Sequence, residues 1–429
     1  MRRPPLPAGP YLVVGLARSG AAAAQALLAR GESVLGTDRA GIEAPQGVET
    51  ARDGLEALGR AGCVIKSPGV PASDPLIAAA RERGVPVLGE LELAWRLLPN
   101  DFIAVTGTNG KTTTVELLGA MHDAAGVPAV VAGNVGRAAS LLAVPPVLAP
   151  EVTVVCEASS FQLEDTLEFA PRAAVLLNIA PDHLDRHGDM AAYTAAKLRV
   201  FENQTAGDLA VLPPGTQAGG GAQRITFGEE AGADMRLGDE RLWWRGEAFA
   251  ARSQICLRGP HNALNALAAT AVALERGLDP DGVRRALGEF SGVEHRLEEV
   301  ATIDGVLFVN DSKATNVASA LVALRSFDAG TIHLILGGRG KGEDFGALLD
   351  QVAARVRATY LVGEAADEIG AALDGLVTIR SGTLERAVAD ARAAARPGEV
   401  VLLSPACTSF DQFRDYEERG AAFRALAGG

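Results

Sequence analysis

Cysteine is scarce and scattered. Cys63, Cys156, Cys256 and Cys407 stand far apart and form no C-x-x-C pair, which excludes a disulfide framework or a zinc site of ordinary spacing and suits a reducing cytosol. Long apolar runs are missing as well: a membrane span needs ~18 uninterrupted apolar residues, and the segment 141–156 is broken by Pro145, Pro146, Pro150 and Glu151. Basic tracts are also missing. Forty Lys and Arg against 53 Asp and Glu give a net charge of −13, which argues against a sequence-independent grip on nucleic acid or anionic membrane. A polyanionic ligand must then be held by a few placed groups. Neither a short repeat nor a low-complexity tract is visible.

With 48% hydrophobic and 22% charged residues the composition is that of a globular protein, and 429 residues fit roughly two to four domains. Four prolines precede the first apolar run and Arg18 interrupts it, so a first strand after a loose leader is expected rather than a signal peptide. Short β-branched runs then alternate with longer Ala- and Leu-rich periodic segments, the pattern of parallel sheets with helical crossovers. The expected fold class is α/β. A first block carries strands at Tyr11–Val14, Val34–Thr37 and Cys63–Lys66 and ends near the linker Pro99-Asn100-Asp101. A second has strands at 102–105, 152–156 and 174–177, two runs at 224–227 and 242–245 that read as hairpin strands, and helices at 262–275 and 280–290. A third has strands at 306–309, 331–336, 359–362 and Val400–Leu403.

The most informative string is Thr106-Gly107-Thr108-Asn109-Gly110-Lys111-Thr112-Thr113, between the apolar run 102–105 and a helical pattern. Glycines let backbone N–H groups turn toward phosphate oxygens, a helix N-terminus adds partial positive charge, and Lys111 adds a full one. Thr112 or Thr113 can offer a hydroxyl to Mg²⁺. The loop is shorter than G-x-x-x-x-G-K-[ST], because Val105 stands where the first glycine belongs. The string points to a nucleoside triphosphate.

Other strand ends carry chemistry too. Gly15-Leu16-Ala17-Arg18-Ser19-Gly20, with Asp38 after the next strand, looks like a dinucleotide loop without its middle glycine, and Ser67-Pro68-Gly69 forms a further turn. Glu157, Asn178, His183 and Lys197 follow the central strands, and a carboxylate with an imidazole near phosphates suits Mg²⁺. In the third block the loops 310–316, 337–342 and 404–411 leave one sheet edge, where two lysines and several hydroxyls suit a small acidic ligand.

These strings resemble the muramyl ligase family, over essentially the whole chain. Residues 106–113 are similar to its shortened ATP loop and His261-Asn262-Ala263-Leu264-Asn265 to its adenine-side helix. Ser159-Ser160-Phe161-Gln162-Leu163, Asp311-Ser312-Lys313-Ala314-Thr315-Asn316 and Ser404-Pro405-Ala406-Cys407 leading to Asp411-Gln412-Phe413 are similar to the members that add D-glutamate. The resemblance implies three domains. These are a Rossmann-like domain at 1–98 for the UDP end of the substrate, a P-loop ATPase-like domain at 99–293 with a small antiparallel addition, and a Rossmann-like domain at 294–429 for D-glutamate. It implies ATP-driven amide formation on UDP-N-acetylmuramoyl-L-alanine through an acyl phosphate, in cytoplasmic peptidoglycan precursor synthesis, by a monomer with no nucleic acid or membrane partner.

The resemblance also assigns residues. Gly107, Thr108, Asn109, Gly110, Lys111, Thr112, Thr113, Asn265, Arg296 and Asp311 would hold nucleotide, and Arg18, Ser19, Asp38, Arg39, Ser67, Asn134 and Gln162 the muramyl substrate. Lys313, Thr315, Lys341, Ser409 and Phe410 would serve the D-glutamate side. Two Mg²⁺ ions would be held by Thr112, Glu157, His183 and a carbamoylated Lys197, with Lys111, Glu157, His183 and Lys197 catalytic. Departures from the family pattern are Arg18-Ser19 in the uridine loop and Tyr416 in place of a phenylalanine. A sister ligase or folylpolyglutamate synthetase, a nicotinamide-dependent oxidoreductase and a non-catalytic nucleotide-binding module are the alternatives. The last two leave Lys111-Thr112-Thr113 or the three ligand edges without a purpose.

Overall fold

The computed structural model describes residues 3–428, the side chain of Asp185 excepted. Its α/β architecture holds three sheets distributed over two compact units. Unit one comprises residues up to 254 together with 264–288, and unit two comprises 255–263 and the chain from 289 onward.

Unit one contains two of the sheets. The smaller has five strands, all parallel, in the order Glu49–Thr50, Val34–Thr37, Tyr11–Val14, Cys63–Lys66, Val87–Gly89. The larger has nine, with Phe102–Thr106 flanked by Thr153–Glu157 and Ala173–Leu176, parallel to both. All five residues of Phe102–Thr106 are buried, as expected for a parallel strand covered on both faces, where an unbroken apolar run replaces alternation. Parallel neighbours share one carboxyl edge, so Gly107, Glu157 and Leu177 all leave the sheet on the same side.

One expected detail needs correction. The run at 224–227 lies in strand Gln223–Gly228, which pairs in parallel with Leu209–Leu212 and with Met235–Leu237 and is no hairpin partner. Residues 213–222 separate it from the preceding strand, long enough to carry the chain back across the sheet rather than reverse it. The true hairpin joins Arg241–Trp244 to Glu247–Ala251. Its two-residue turn, Arg245 and Gly246, has φ of 48° and 85°, the left-handed pair that matches strand twist.

Unit two carries a six-stranded sheet in the order Glu298–Ile303, Val306–Asn310, Val400–Leu403, Ile332–Gly337, Val356–Val362, Thr378–Gly382. Only the first pair is antiparallel. Two apolar clusters, one on each face, contain Leu334, Leu336 and Leu361 on one side and Ile335, Tyr360 and Phe423 on the other. The loops after Val306–Asn310, Val400–Leu403 and Ile332–Gly337 therefore leave adjacent strands at one edge, as the strand ends foretold.

Candidate active site

The phosphate loop runs from strand Phe102–Thr106 into helix Lys111–Ala124. Gly110 makes that junction possible. Its φ is 85°, and a Cβ there would stand 2.2 Å from Oδ1 of Asn265, so neither the backbone nor the space admits a side chain. Asn178 clamps the loop from the neighbouring strand end: its Oδ1 accepts from the Asn109 N–H at 2.9 Å and its Nδ2 donates to the Asn109 carbonyl at 3.0 Å. The Thr108 hydroxyl meets the Tyr193 hydroxyl at 3.0 Å and accepts from the Ala180 N–H. The loop thus has a fixed shape, and fixed N–H groups at a helix start form an anion cradle.

Charged groups gather around it. The Lys111 ammonium donates to the carbonyls of Gly107 and Thr108 at 2.9 and 2.8 Å. The Thr112 hydroxyl donates to Oε2 of Glu157 at 2.7 Å, and Asn134 Nδ2 donates to Oε1 at 2.8 Å. Asn134, expected beside the muramyl substrate, thus stands at the carboxylate next to the phosphate loop. Lys197, on helix Met190–Glu202, is fully enclosed, lies 4.6 Å from the Tyr193 ring centroid and donates to the Gly107 carbonyl at 2.8 Å. Burial, followed by the nearby Lys111 charge, brings its pKa down to about 7, so a large share of this amine is neutral near neutrality. A neutral amine is the form that adds CO₂, so the residue present fits the carbamate chemistry. His183 sits in the left-handed region (φ 53°) before the short helix Leu184–His187. Its ring lies 4.8 Å from that of Phe161 and 3.4 Å from Oδ2 of Asp182. Among the described residues no cluster of three or more His, Cys, Asp and Glu forms a ready metal cage. A cation here would rely on oxygen ligands that include the Thr112 hydroxyl and Glu157, with phosphate oxygens completing its shell.

The smaller sheet of the same unit presents a cavity of about 630 Å³ at its carboxyl edge, with Asp38, Arg39 and Ser67 in its wall. Asp38 accepts from the N–H groups of Leu16 and Ala40 at 2.6 and 2.8 Å, and Arg39 pairs with Asp74 at 3.2 Å. Arg18 and Ser19 open helix Arg18–Leu28, and Arg18 donates to the Gly136 carbonyl. Gln162 is buried and its side-chain oxygen closes a capping box with Ser159, a structural task that the string Ser159 to Gln162 signals.

In unit two, Asp311 is buried; its carboxylate accepts from the Ser404 hydroxyl at 2.8 Å and the Leu297 N–H at 3.2 Å. Burial outweighs these bonds and pushes its pKa up to about 7. The charge of Arg296 acts on Asp311, and Nε of Arg296 is buried without a hydrogen-bond partner among the described residues, an orphan donor that an acceptor on a ligand would satisfy. Arg419, unremarkable in a charged helical stretch, is the lock of this edge: it donates to the Ser312 hydroxyl, the Ser312 carbonyl and the Cys407 carbonyl at 3.0, 2.8 and 3.1 Å. A bridge between Arg339 and Thr408 ties in the third loop. Lys313 lies 5.5 Å from the Tyr416 ring, Thr315 is half-buried, Ser409 is buried, and Lys341 and Phe410 are exposed.

Sequence and fold both have known counterparts. Residues 105–273 match the Mur ligase middle domain and residues 295–407 the Mur ligase glutamate ligase domain. The chain belongs to the Mur ligase family. Within it, the chain is 43% identical to the UDP-N-acetylmuramoylalanine--D-glutamate ligase of Acidobacterium capsulatum over 97% of this chain and 95% of that one. It is 43% identical to the enzyme of the same name from Anaeromyxobacter dehalogenans over 100% and 99%, and 40% to that of Koribacter versatilis over 97% and 96%. Among solved structures, UDP-N-acetylmuramate-alanine ligase from Thermotoga maritima shares the fold at a TM-score of 0.61 and 20% identity, over 98% of this chain and 100% of the other. MurF ligase from Thermotoga maritima, solved with ADP, shares it at 0.61 and 19%, over 87% and 91%. No described helix is long and apolar enough to cross a membrane.

Proposed function

We propose that this chain is an ATP-dependent ligase that joins D-glutamate to UDP-N-acetylmuramoyl-L-alanine, giving ADP and phosphate, as a monomer in the cytoplasm. The observation that carries the reading is the convergence on one loop of Lys111, the Thr112–Glu157 pair and the buried Lys197, in a chain whose full-length relatives bear that activity in their names. The muramyl substrate enters at the cavity walled by Asp38, Arg39 and Ser67, and Arg18, Ser19, Gln162 and Asn134 serve the same substrate. Asn265, Arg296 and Asp311 serve the nucleotide, and Lys313, Thr315, Lys341, Ser409 and Phe410 serve D-glutamate.

The L-alanyl carboxylate is a poor electrophile and must be activated. Its oxygen attacks the γ-phosphorus of ATP, the bond to the β,γ-bridging oxygen breaks, and ADP leaves an acyl phosphate. The amine of D-glutamate then attacks the acyl carbon, the amine proton is lost, and phosphate departs as the amide forms. The loop N–H groups and Lys111 bind the phosphates and offset charge as it moves toward the leaving oxygen. Thr112, Glu157, His183 and carbamoylated Lys197 would hold two Mg²⁺ ions, which supply charge neutralisation across the phosphate oxygens. Glu157 holds the Thr112 hydroxyl and Asn134 in place, and Lys197 fixes the Gly107 turn.

Phosphate release from ATP, measured with UDP-N-acetylmuramoyl-L-alanine while each amino acid is offered in turn, tests this. D-glutamate should support turnover well above every other amino acid. Preference for another amino acid would move the chain to a sister activity, and no ATP turnover would refute the ligase.

A further inference from the structure

Between the two sheets of unit one lies a chain of charged contacts that the reaction chemistry does not call for. Arg186 stands three residues after His183. Its Nη2 donates to the carbonyls of Val70 at 2.9 Å and Pro68 at 3.3 Å and to the carboxylate of Glu164, while Nη1 reaches the Gly69 carbonyl at 3.5 Å. The same guanidinium lies 4.9 Å from the Phe161 ring, which also meets the His183 ring at 4.8 Å and the His187 ring at 5.6 Å. Glu164 in turn accepts from Lys66 at 3.3 Å, and the buried Lys66 also pairs with Asp165. Ser67, Gly69 and Val70 belong to the wall of the 630 Å³ cavity. One planar cation thus grips the wall of that cavity on one side and, on the other, faces the Phe161 ring that meets His183.

From this geometry we infer that Arg186 is a positioning residue that couples occupation of the Ser67 loop by the uridine-diphosphate end of the substrate to the placement of the His183 turn. The inference rests on the functional reading above. Three carbonyls and a carboxylate converge on the fork: the two N–H of Nη2 are shared among the Val70 and Pro68 carbonyls and Glu164, and Nη1 faces the Gly69 carbonyl, a planar arrangement that a guanidinium can meet. A lysine supplies charge but not the fork, so R186K keeps the cation and loses the geometry. When a ligand stiffens the loop, the carbonyl positions it fixes restrict the guanidinium, and through Phe161 and the short helix they restrict His183. By linkage the effect runs in both directions.

The test uses the full chain. The dissociation constant of Mg·ADP is measured by calorimetry with and without saturating UDP-N-acetylmuramoyl-L-alanine, together with kcat and each KM. In the unaltered protein the muramyl nucleotide should tighten Mg·ADP about tenfold. In R186K and R186Q that factor should fall close to one and kcat should drop about tenfold, with KM for D-glutamate unchanged. Should both variants fold poorly, F161L, which keeps Arg186 and its carbonyl contacts and removes the ring between it and His183, carries the same forecast. Variants that lose thermal stability but keep the tenfold coupling overturn the inference, as does an unaltered protein without coupling. An unaltered protein that binds no muramyl nucleotide ends the functional reading as well.

Discussion

The ammonium of Lys197 donates to the carbonyl of Gly107 at 2.8 Å, which ties helix Met190–Glu202 to the first turn of the phosphate loop. A lysine whose basicity has been lowered by burial is suited to CO₂ addition, and a carbamate formed there would exchange a cation for an oxygen ligand. Lys197→Ala should therefore lower kcat by roughly 10–100-fold, the range for loss of a group that orients a metal site. Added short-chain carboxylates should restore part of it. Steady-state rates with and without acetate read this out, and an alanine variant of full activity would remove the carbamate role.

The phosphate loop was legible because its chemistry is local: Gly110 and Lys111 follow one another in sequence, and the structure merely supplies Asn265 above Gly110. The parallel sheets were legible for the same reason, since buried parallel strands read as unbroken apolar runs. The run at 224–227 misled because a β-branched segment after a polar stretch has the same composition whether the chain reverses or crosses over; pairing decides, and pairing is not local. Lys66, Arg186 and Arg419 were invisible as organisers. Each is a cation in a segment that reads as ordinary, and only partners about 100 residues away for Lys66, Glu164 and Asp165 among them, and for Arg419, Ser312, explain the burial of those two. The candidate residues at 38, 39 and 67 share one cavity wall. Asn134 and Gln162, by contrast, already carry bonds to Glu157 and Ser159, which no motif match could disclose.

Gly110→Ala would meet two penalties at once. A residue with a side chain at φ 85° costs about 1–3 kcal/mol, and the new Cβ would press on the Asn265 amide. Chemical denaturation should show a loss in that range, and KM for ATP should rise at least about tenfold, since the N–H groups of the loop would be reoriented. The double variant with Asn265→Ala should regain part of the stability because the clash is relieved. If it regains nothing, the strain is in the backbone alone.

Lys66 is enclosed at the end of strand Cys63–Lys66 with Asp165 and Glu164 as its partners. Lys66→Met removes the cation and leaves the almost fully buried Asp165 without it, while Glu164 keeps Arg186. The expected cost is about 3–5 kcal/mol, the usual price of breaking a buried pair from one side. Replacing Asp165 by Leu in the same chain should return much of it, because an apolar pair needs no compensation. Urea midpoints of the two variants decide this; equal losses would mean that the network contributes through packing and not through charge.

Asp311 yields a prediction about pH whose sign is fixed by burial. Its pKa rises from the ordinary 3.8 to about 7 in the folded chain, first through desolvation, against the bonds from Ser404 and Leu297. Below about 4 the carboxyl is protonated in both folded and unfolded chains, and its contribution to stability is fully present. Between about 4 and 7 the unfolded chain has released the proton and the folded chain retains it, so stability falls as pH rises through this window. Above about 7 both forms are ionised and the loss is complete. Asp311→Asn keeps the shape and cannot ionise, so the stability of the unaltered protein relative to this variant should decline from pH 4.5 to pH 7 and stay level from pH 7.5 to pH 9. Denaturant titrations of both proteins at those values measure the difference directly. Parallel curves throughout would mean that the folded protein holds Asp311 ionised, with Arg296 and Arg419 prevailing over desolvation.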